Sequence, residues 1–123
     1  MAKDTPERIA TLCVDGRFVG TVTVATGIWG RAGAPQGLDR ASGALLLSPA
    51  SLAHTLGAPL PIDIAYLDDS YQVLEVCTMP PWRIARPRMR SRHILQAAGG
   101  RWRTWQLRPG STLLVNSVPR YSA

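Results

Sequence analysis

At 123 residues, with 46% apolar and 18% charged residues, the chain is sized for one globular domain with one core, too apolar for a disordered segment and too short for two domains. Its net charge of +6 is unevenly placed: Lys3, Arg8, Arg17, Arg31, Arg40 and all eight acids lie at or before Glu75, whereas nine arginines and no acid follow it. Such a block suits nucleic acid, acidic lipid or an acidic protein, or it forms a solvated face.

Residues 1–7 carry both acids and bases and are expected to be a disordered lead-in. No apolar run there is long enough for a signal peptide or a membrane span, so a cytoplasmic location is expected. The domain proper is expected over residues 8–118, with a short tail at 119–123. Arg8 to Val14 and Arg17 to Ala25 flank Asp15-Gly16, and a two-residue Asp-Gly loop between β-rich runs signals a hairpin. In its second arm Phe18, Gly20, Val22 and Val24 alternate against Val19, Thr21 and Thr23, which predicts that the first set lies on the core.

From Thr26 to Ser42 the composition becomes Gly, Ala, Pro and polar residues, a long surface loop that Trp29 would pin. Gly43 to Leu47 reads as a short buried strand ended by Ser48-Pro49. Ala50 to Leu60, with Ser51, His54 and Thr55 ahead of Pro59 and Pro61, is extended or turning backbone, because the prolines exclude a regular helix. Pro61 to Leu67 and Tyr71 to Met79 then flank Asp68-Asp69-Ser70 as a second hairpin. Its first arm is apolar on both faces, so it is covered twice, and Asp63 stands inside it. A carboxylate taken out of water needs a cation or several donors. Arg83, Arg31 and backbone amides are the candidates.

After Pro80-Pro81-Trp82-Arg83, Arg86, Arg88, Arg90 and Arg92 recur at period two and would share one face of an extended segment. His93 to Ala98 reads as a strand, Gly99-Gly100 as a break, and Arg101 to Leu107 as a short helical turn with Trp102 and Trp105 on one side. Leu107-Arg108-Pro109-Gly110 is a turn, and Ser111 to Asn116 the last strand. About eight short strands with little helix predict an all-β sandwich or barrel. Cys13 and Cys77 lie among apolar strand residues, where thiols act as small hydrophobes. With lone His54 and His93 they make no zinc set, and no metal or cofactor is expected.

The order of these features resembles the Domain of Unknown Function 192 family over roughly residues 10–115. The resemblance is carried by Gly27-Ile28-Trp29-Gly30-Arg31, the strand Gly43 to Leu47, His54-Thr55 ahead of Pro61-Ile62-Asp63-Ile64, Leu67-Asp68, Pro81-Trp82-Arg83, Ile94 to Gly99 and Leu107-Arg108-Pro109-Gly110. It implies a compact β-sandwich with jelly-roll-like strand order in a prokaryotic, here bacterial, protein. It supplies no activity, because the family is uncharacterised. Some members are exported or encoded near pilus-assembly genes, which adds a pilus or secretion component to the partners considered. Gln96 and Ser111 stand where that family more often has Glu and Asp.

The expected function is therefore a non-enzymatic binding or accessory module, with an acidic protein partner or a small ligand near Asp63. His54, Thr55, Asp63, Trp82 and Arg83 are the candidate site: Asp63 to orient Arg83, Trp82 as an apolar wall, His54 and Thr55 as hydrogen-bonding groups. The alternatives are a basic nucleic-acid module spanning residues 83–103, using Arg86, Arg88, Arg90, Arg92, Arg101 and Arg103 with stacking tryptophans, and a carboxylate-dependent hydrolase centred on Asp63 and His54. Ser51 with His54 lacks the glycine elbow of a hydrolase nucleophile. Gly27, Gly30 and Gly33 lack the spacing of a nucleotide fingerprint.

Overall fold

The computed structural model describes residues 8–26 and 44–117. The expected lead-in, most of the loop that carries Trp29 and Arg31, and the C-terminal tail lie outside them. The fold is all-β with one short helix, as expected. Among the described residues there are seven strands: β1 (Arg8–Val14), β2 (Arg17–Thr26), β3 (Ala44–Ser48), β4 (Ile62–Leu67), β5 (Val73–Met79), β6 (His93–Ala98) and β7 (Leu113–Ser117), with helix α1 (Arg101–Trp105) before the last. They form one sheet in the order β5-β4-β6-β3-β2-β1-β7. Its two edge strands approach at one end, where Gln72 bridges Thr112, Val73 donates to the Ser111 carbonyl at 2.8 Å and Leu113 to that of Tyr71 at 3.0 Å. The sheet is thus curled into a half-barrel.

Both hairpins form where their turn residues place them. Asp15 and Gly16 have φ of 50° and 86°, the doubly positive pair of a type I′ turn, and the Asp15 carboxylate accepts from the Thr112 amide at 2.9 Å. The Asp68 carboxylate accepts from the Ser70 and Gln72 amides, each at 2.9 Å, and closes the second turn. β4 is buried at every residue. β3 pairs parallel to β2 and antiparallel to β6.

The two faces of the sheet carry separate cores. All seven strands contribute to the inner one, including Leu12, Val22, Leu46, Leu67 and Leu95, and Trp102 and Trp105 of α1 plug it. The outer core is narrower: Leu45, Leu47, Ile64, Tyr66 and Ile94 pack beneath Ala53 and Ala58 of the segment between β3 and β4. Beyond that cover, on the outer face of β7, β1 and the start of β2, Leu114, Ile9 and Phe18 are exposed.

Two local expectations change. Phe18 does not join Val22 and Val24 in the core. The register slips between Leu12↔Gly20 and Cys13↔Phe18, so Val19 is an extra residue in β2. This bulge turns Val19 against the inner core and leaves Phe18 outside, 65% exposed. The arginine run is not a strand either. Residues 80–92 are loop and turn apart from a single bridge at Ile84. Pro81 and Pro87 carry no amide hydrogen for a ladder, and Arg88 leaves the row to pair with Glu75.

Candidate functional site

Asp63 is 1% exposed and points to the inner face, with the parity of Ala65 and Leu67. Its partners are hydrogen-bond donors. Thr78, directly opposite on β5, donates its hydroxyl to Oδ1 at 2.7 Å, while the amides of Gly100 and Trp102 donate to Oδ2 at 3.0 and 2.9 Å. Gly100 is the N-cap of α1 and has no side chain to cap with, at φ 94°. A carboxylate two strands away in sequence therefore does the capping, which satisfies orphan helix amides and places the charge at the positive end of the turn. Arg83 is not its partner, and Arg31 lies outside the described residues. A cleft of about 470 Å³ opens beside this cap, lined by Asp63, Thr78, Gly100, Trp102 and Arg103 among others.

The remaining four residues of the expected site do come together, on the other side of the sheet. Thr55 is fully buried; its hydroxyl donates to the Pro80 carbonyl at 2.6 Å and accepts from the Arg83 amide at 2.9 Å. Its own amide donates to the Arg83 carbonyl at 2.8 Å, and its carbonyl accepts from the Trp82 amide at 2.9 Å. With Ala85 donating to the Ala53 carbonyl at 2.9 Å, these bonds make His54 and Ile84 a facing antiparallel pair. Ala53 and Thr55 then point into the outer core, while Leu52, Leu56, Trp82 and Ile84 point to solvent. The His54 ring accepts from the Leu56 amide at 3.2 Å. Asp63 is separated from this group by the thickness of the sheet, so one concerted site of all five is not what the fold builds.

The basic residues divide as well. Arg88 makes a bidentate pair with Glu75, at 2.9 and 3.0 Å, donates to the Arg86 carbonyl at 2.7 Å and lies 4.8 Å from the centre of the Tyr66 ring. It fastens the loop to the edge strand, and its hydrogen bonds hold the Glu75 carboxyl below its usual range. Arg83, Arg86, Arg90 and Arg92 are exposed on the same loop. Arg101 lies 5.7 Å from the centre of the Trp105 ring, and Arg103 is exposed on α1. Cys13 and Cys77 are both free thiols. Burial pushes Cys77 above the ordinary thiol value, as an inert strand thiol requires.

One cluster escaped the sequence reading. Ser48 Oγ lies 2.7 Å from His93 Nδ1, and Tyr71 stacks on the same ring with centroids 4.4 Å apart. These residues are far apart in the chain: the β3–β6 pairing brings Ser48 to His93, and the β4–β6 pairing, with Leu67 opposite His93, brings the turn that carries Tyr71. Burial lowers the His93 pKa from the ordinary 6.5; Asp69 and Asp68 pull it up and Arg92 pushes it down, and burial prevails. The unfolded chain then takes the proton first. The stabilisation is complete above about pH 6.5 and is lost as pH falls through that value towards the native pKa. The urea midpoint should drop between about pH 7.5 and pH 5.5. His93→Gln should remove that drop; an unchanged slope in the variant would assign it elsewhere.

These features define a small all-β protein: a curled sheet plugged by a carboxylate-capped helix, with a hydrogen-bonded apolar and basic ladder laid on its outer face. The chain belongs to the Domain of Unknown Function 192 family, described as "Uncharacterized ACR", whose model matches residues 23–115. A UPF0127 protein of Pyrococcus horikoshii is 41% identical over 39 residues, which are 32% of this chain and 34% of that relative, so the chain spans about a third of the length of the relative it matches. Two crystal structures share the fold. A protein of unknown function from Novosphingobium aromaticivorans has a TM-score of 0.60 at 13% identity, covering 86% of this chain and 84% of that one. A candidate transcription regulator from Sinorhizobium meliloti has a TM-score of 0.59 at 16% identity, covering 89% and 92%. Among the described residues no helix is long and apolar enough to cross a membrane.

Proposed function

We propose that this protein is a non-enzymatic binding module that docks an acidic protein through the outward face of the ladder formed by residues 52–56 and 82–86. One observation carries the reading: Leu52, Leu56, Trp82 and Ile84 stand exposed, the last two at 65% and 63%, on backbone that Thr55 holds rigidly. Apolar side chains exposed on a mobile loop cost little, but held in place they form a lasting patch of the kind that marks an interaction surface. Trp82 also sits at φ 62°, a strained setting for a bulky residue that persists because the bonds on either side of it fix the chain. Arg83, Arg86, Arg90 and Arg92 give this apolar centre a cationic rim, the core-and-rim arrangement of a protein interface. The chain has no acid beyond Glu75 to neutralise that rim from within the same segment. Asp63 takes no part, since its oxygens serve the α1 cap.

Selection of a displayed random-peptide library on the immobilised protein tests this. Peptides with an apolar centre flanked by Asp and Glu should be enriched, and their binding should weaken with salt and be lost in Ile84→Asp, whose exposed position spares the fold. Enrichment of peptides without acids, or undiminished binding to the variant, would overturn the reading. So would tighter binding of single-stranded oligonucleotides or anionic vesicles through the same residues, which would assign the surface to nucleic acid or lipid.

A further inference from the structure

A second surface stands apart from the ladder. On the open half of the outer sheet face, Phe18 of β2 and Leu114 of β7 flank Cys13 of β1 in one row, because both pair with Cys13 in register. Phe18 and Leu114 are 65% and 55% exposed, and Ile9 lies further along the same face of β1. The other outward positions on these strands are three threonines, Thr11, Thr21 and Thr23, Asn116, and Ala25, which is already buried in the outer core. No lysine, arginine or acid is among them. The bulge at Val19 is what turns Phe18 into this row, and bulges commonly serve to re-aim a side chain.

We infer that this face is a self-association surface, occupied by a second copy of this chain. Charge selects the occupant. Copies of a molecule with net charge +6 repel one another, most strongly through arginine-bearing surfaces such as the 80–92 loop, and they approach at least cost where a face is uncharged. An acidic partner would find no cation here to pair with. The row is also self-complementary: with a two-fold axis along β1, Cys13 faces its counterpart, and Phe18 of each copy lies over Leu114 of the other. Large side chains then meet across the interface on both sides of a small one. Three strands about 4.8 Å apart give a contact well below the roughly 800 Å² per partner of a standard interface, so the dimer is weak and depends on concentration.

Sedimentation velocity of the full chain up to about 1 mM should show a monomer–dimer equilibrium. Salt should leave it unchanged or strengthen it by screening the net positive charge, the opposite of its effect on the proposed acidic partner. Phe18→Glu and, separately, Leu114→Lys should each weaken dimerisation by about tenfold or more, with native circular dichroism retained because both positions are exposed. Facing sheets lie about 10 Å apart, beyond the roughly 7 Å Cα separation of a disulfide. A short bismaleimide should therefore cross-link Cys77→Ser protein through Cys13, and should fail with Phe18→Glu added. A monomer throughout the range, a dimer that salt dissociates, or a dimer that survives both variants would overturn the inference. None of these outcomes depends on whether the ladder binds an acidic partner.

Discussion

Replacing Asp63 by alanine should destabilise the protein by about 3–5 kcal/mol, one of the largest effects of any single change in the chain. The substitution strips the Gly100 and Trp102 amides and the Thr78 hydroxyl of one charged acceptor. The Trp102 amide is buried, and leaving it unpaired costs about 1–3 kcal/mol, at the upper end because its acceptor is charged, whereas the exposed Gly100 and Thr78 donors can turn to water. The amides belong to the first turn of α1, so the loss propagates to Trp102 and Trp105, which plug the inner core. Asp63→Asn should cost less, about 1–2 kcal/mol. Its amide oxygen can still accept from the two backbone amides, while its NH₂ group donates to Thr78, whose hydroxyl turns to accept. Urea denaturation of both variants measures the difference, and the alanine variant should lose roughly 15–20 °C in Tm. Equal losses for the two variants, or a loss under about 1 kcal/mol for alanine, would show that the carboxylate is not the cap described here.

The second large effect is expected at Trp102. Truncation to alanine should cost about 3–5 kcal/mol, as for other buried aromatics, because Trp102 is nearly fully buried and packs against Trp105 with ring centroids 5.8 Å apart. Its indole Nε1 is buried and has no hydrogen-bond partner among the described residues, so packing carries most of what the side chain contributes. Trp102→Phe should therefore cost only about 1–2 kcal/mol, the loss of part of the ring and no hydrogen bond. Equilibrium unfolding followed by far-ultraviolet circular dichroism compares the two. A phenylalanine variant as unstable as the alanine one would mean that the indole nitrogen has a partner after all.

The two sides of the sheet divide the work. The inner side is structural: Asp63, Thr78 and α1 close the half-barrel with hydrogen bonds and aromatic packing. The outer side carries the exposed apolar side chains, Leu52, Leu56, Trp82 and Ile84 of the ladder and Ile9, Phe18 and Leu114 on β1, β2 and β7. Asp63 looked like the centre of a site because it is the one acid in an otherwise apolar run. Its oxygens are taken by two backbone amides and the Thr78 hydroxyl, while of the residues the sequence sets near it Thr55 is buried and Trp82 and Arg83 are exposed, all on the opposite side of the sheet.

What could be read from the amino acids alone is what depends on near neighbours. Asp15-Gly16 dictates its turn because few residues accept two successive positive φ angles. The apolar residues on both sides of Ile62 to Leu67 require two covers whatever supplies them, and a carboxylate in that run requires donors. The spacing of Trp102 and Trp105 already places both on one side of a helical turn. Which donors serve Asp63, which way Phe18 faces and whether the arginines line up were decided by contacts between distant parts of the chain. Gly100 and Trp102 reach Asp63 only because β6 lies beside β4. Phe18 faces outwards only because one extra residue in β2 shifts its pairing with β1, and since strand side chains alternate with period two, a single-residue slip reverses every position beyond it. The arginine row is broken because a bidentate bond from Arg88 to Glu75 outweighs the regular spacing of the run. Local preferences of a fraction of a kcal/mol per residue yield to register and burial, which the tertiary fold alone sets.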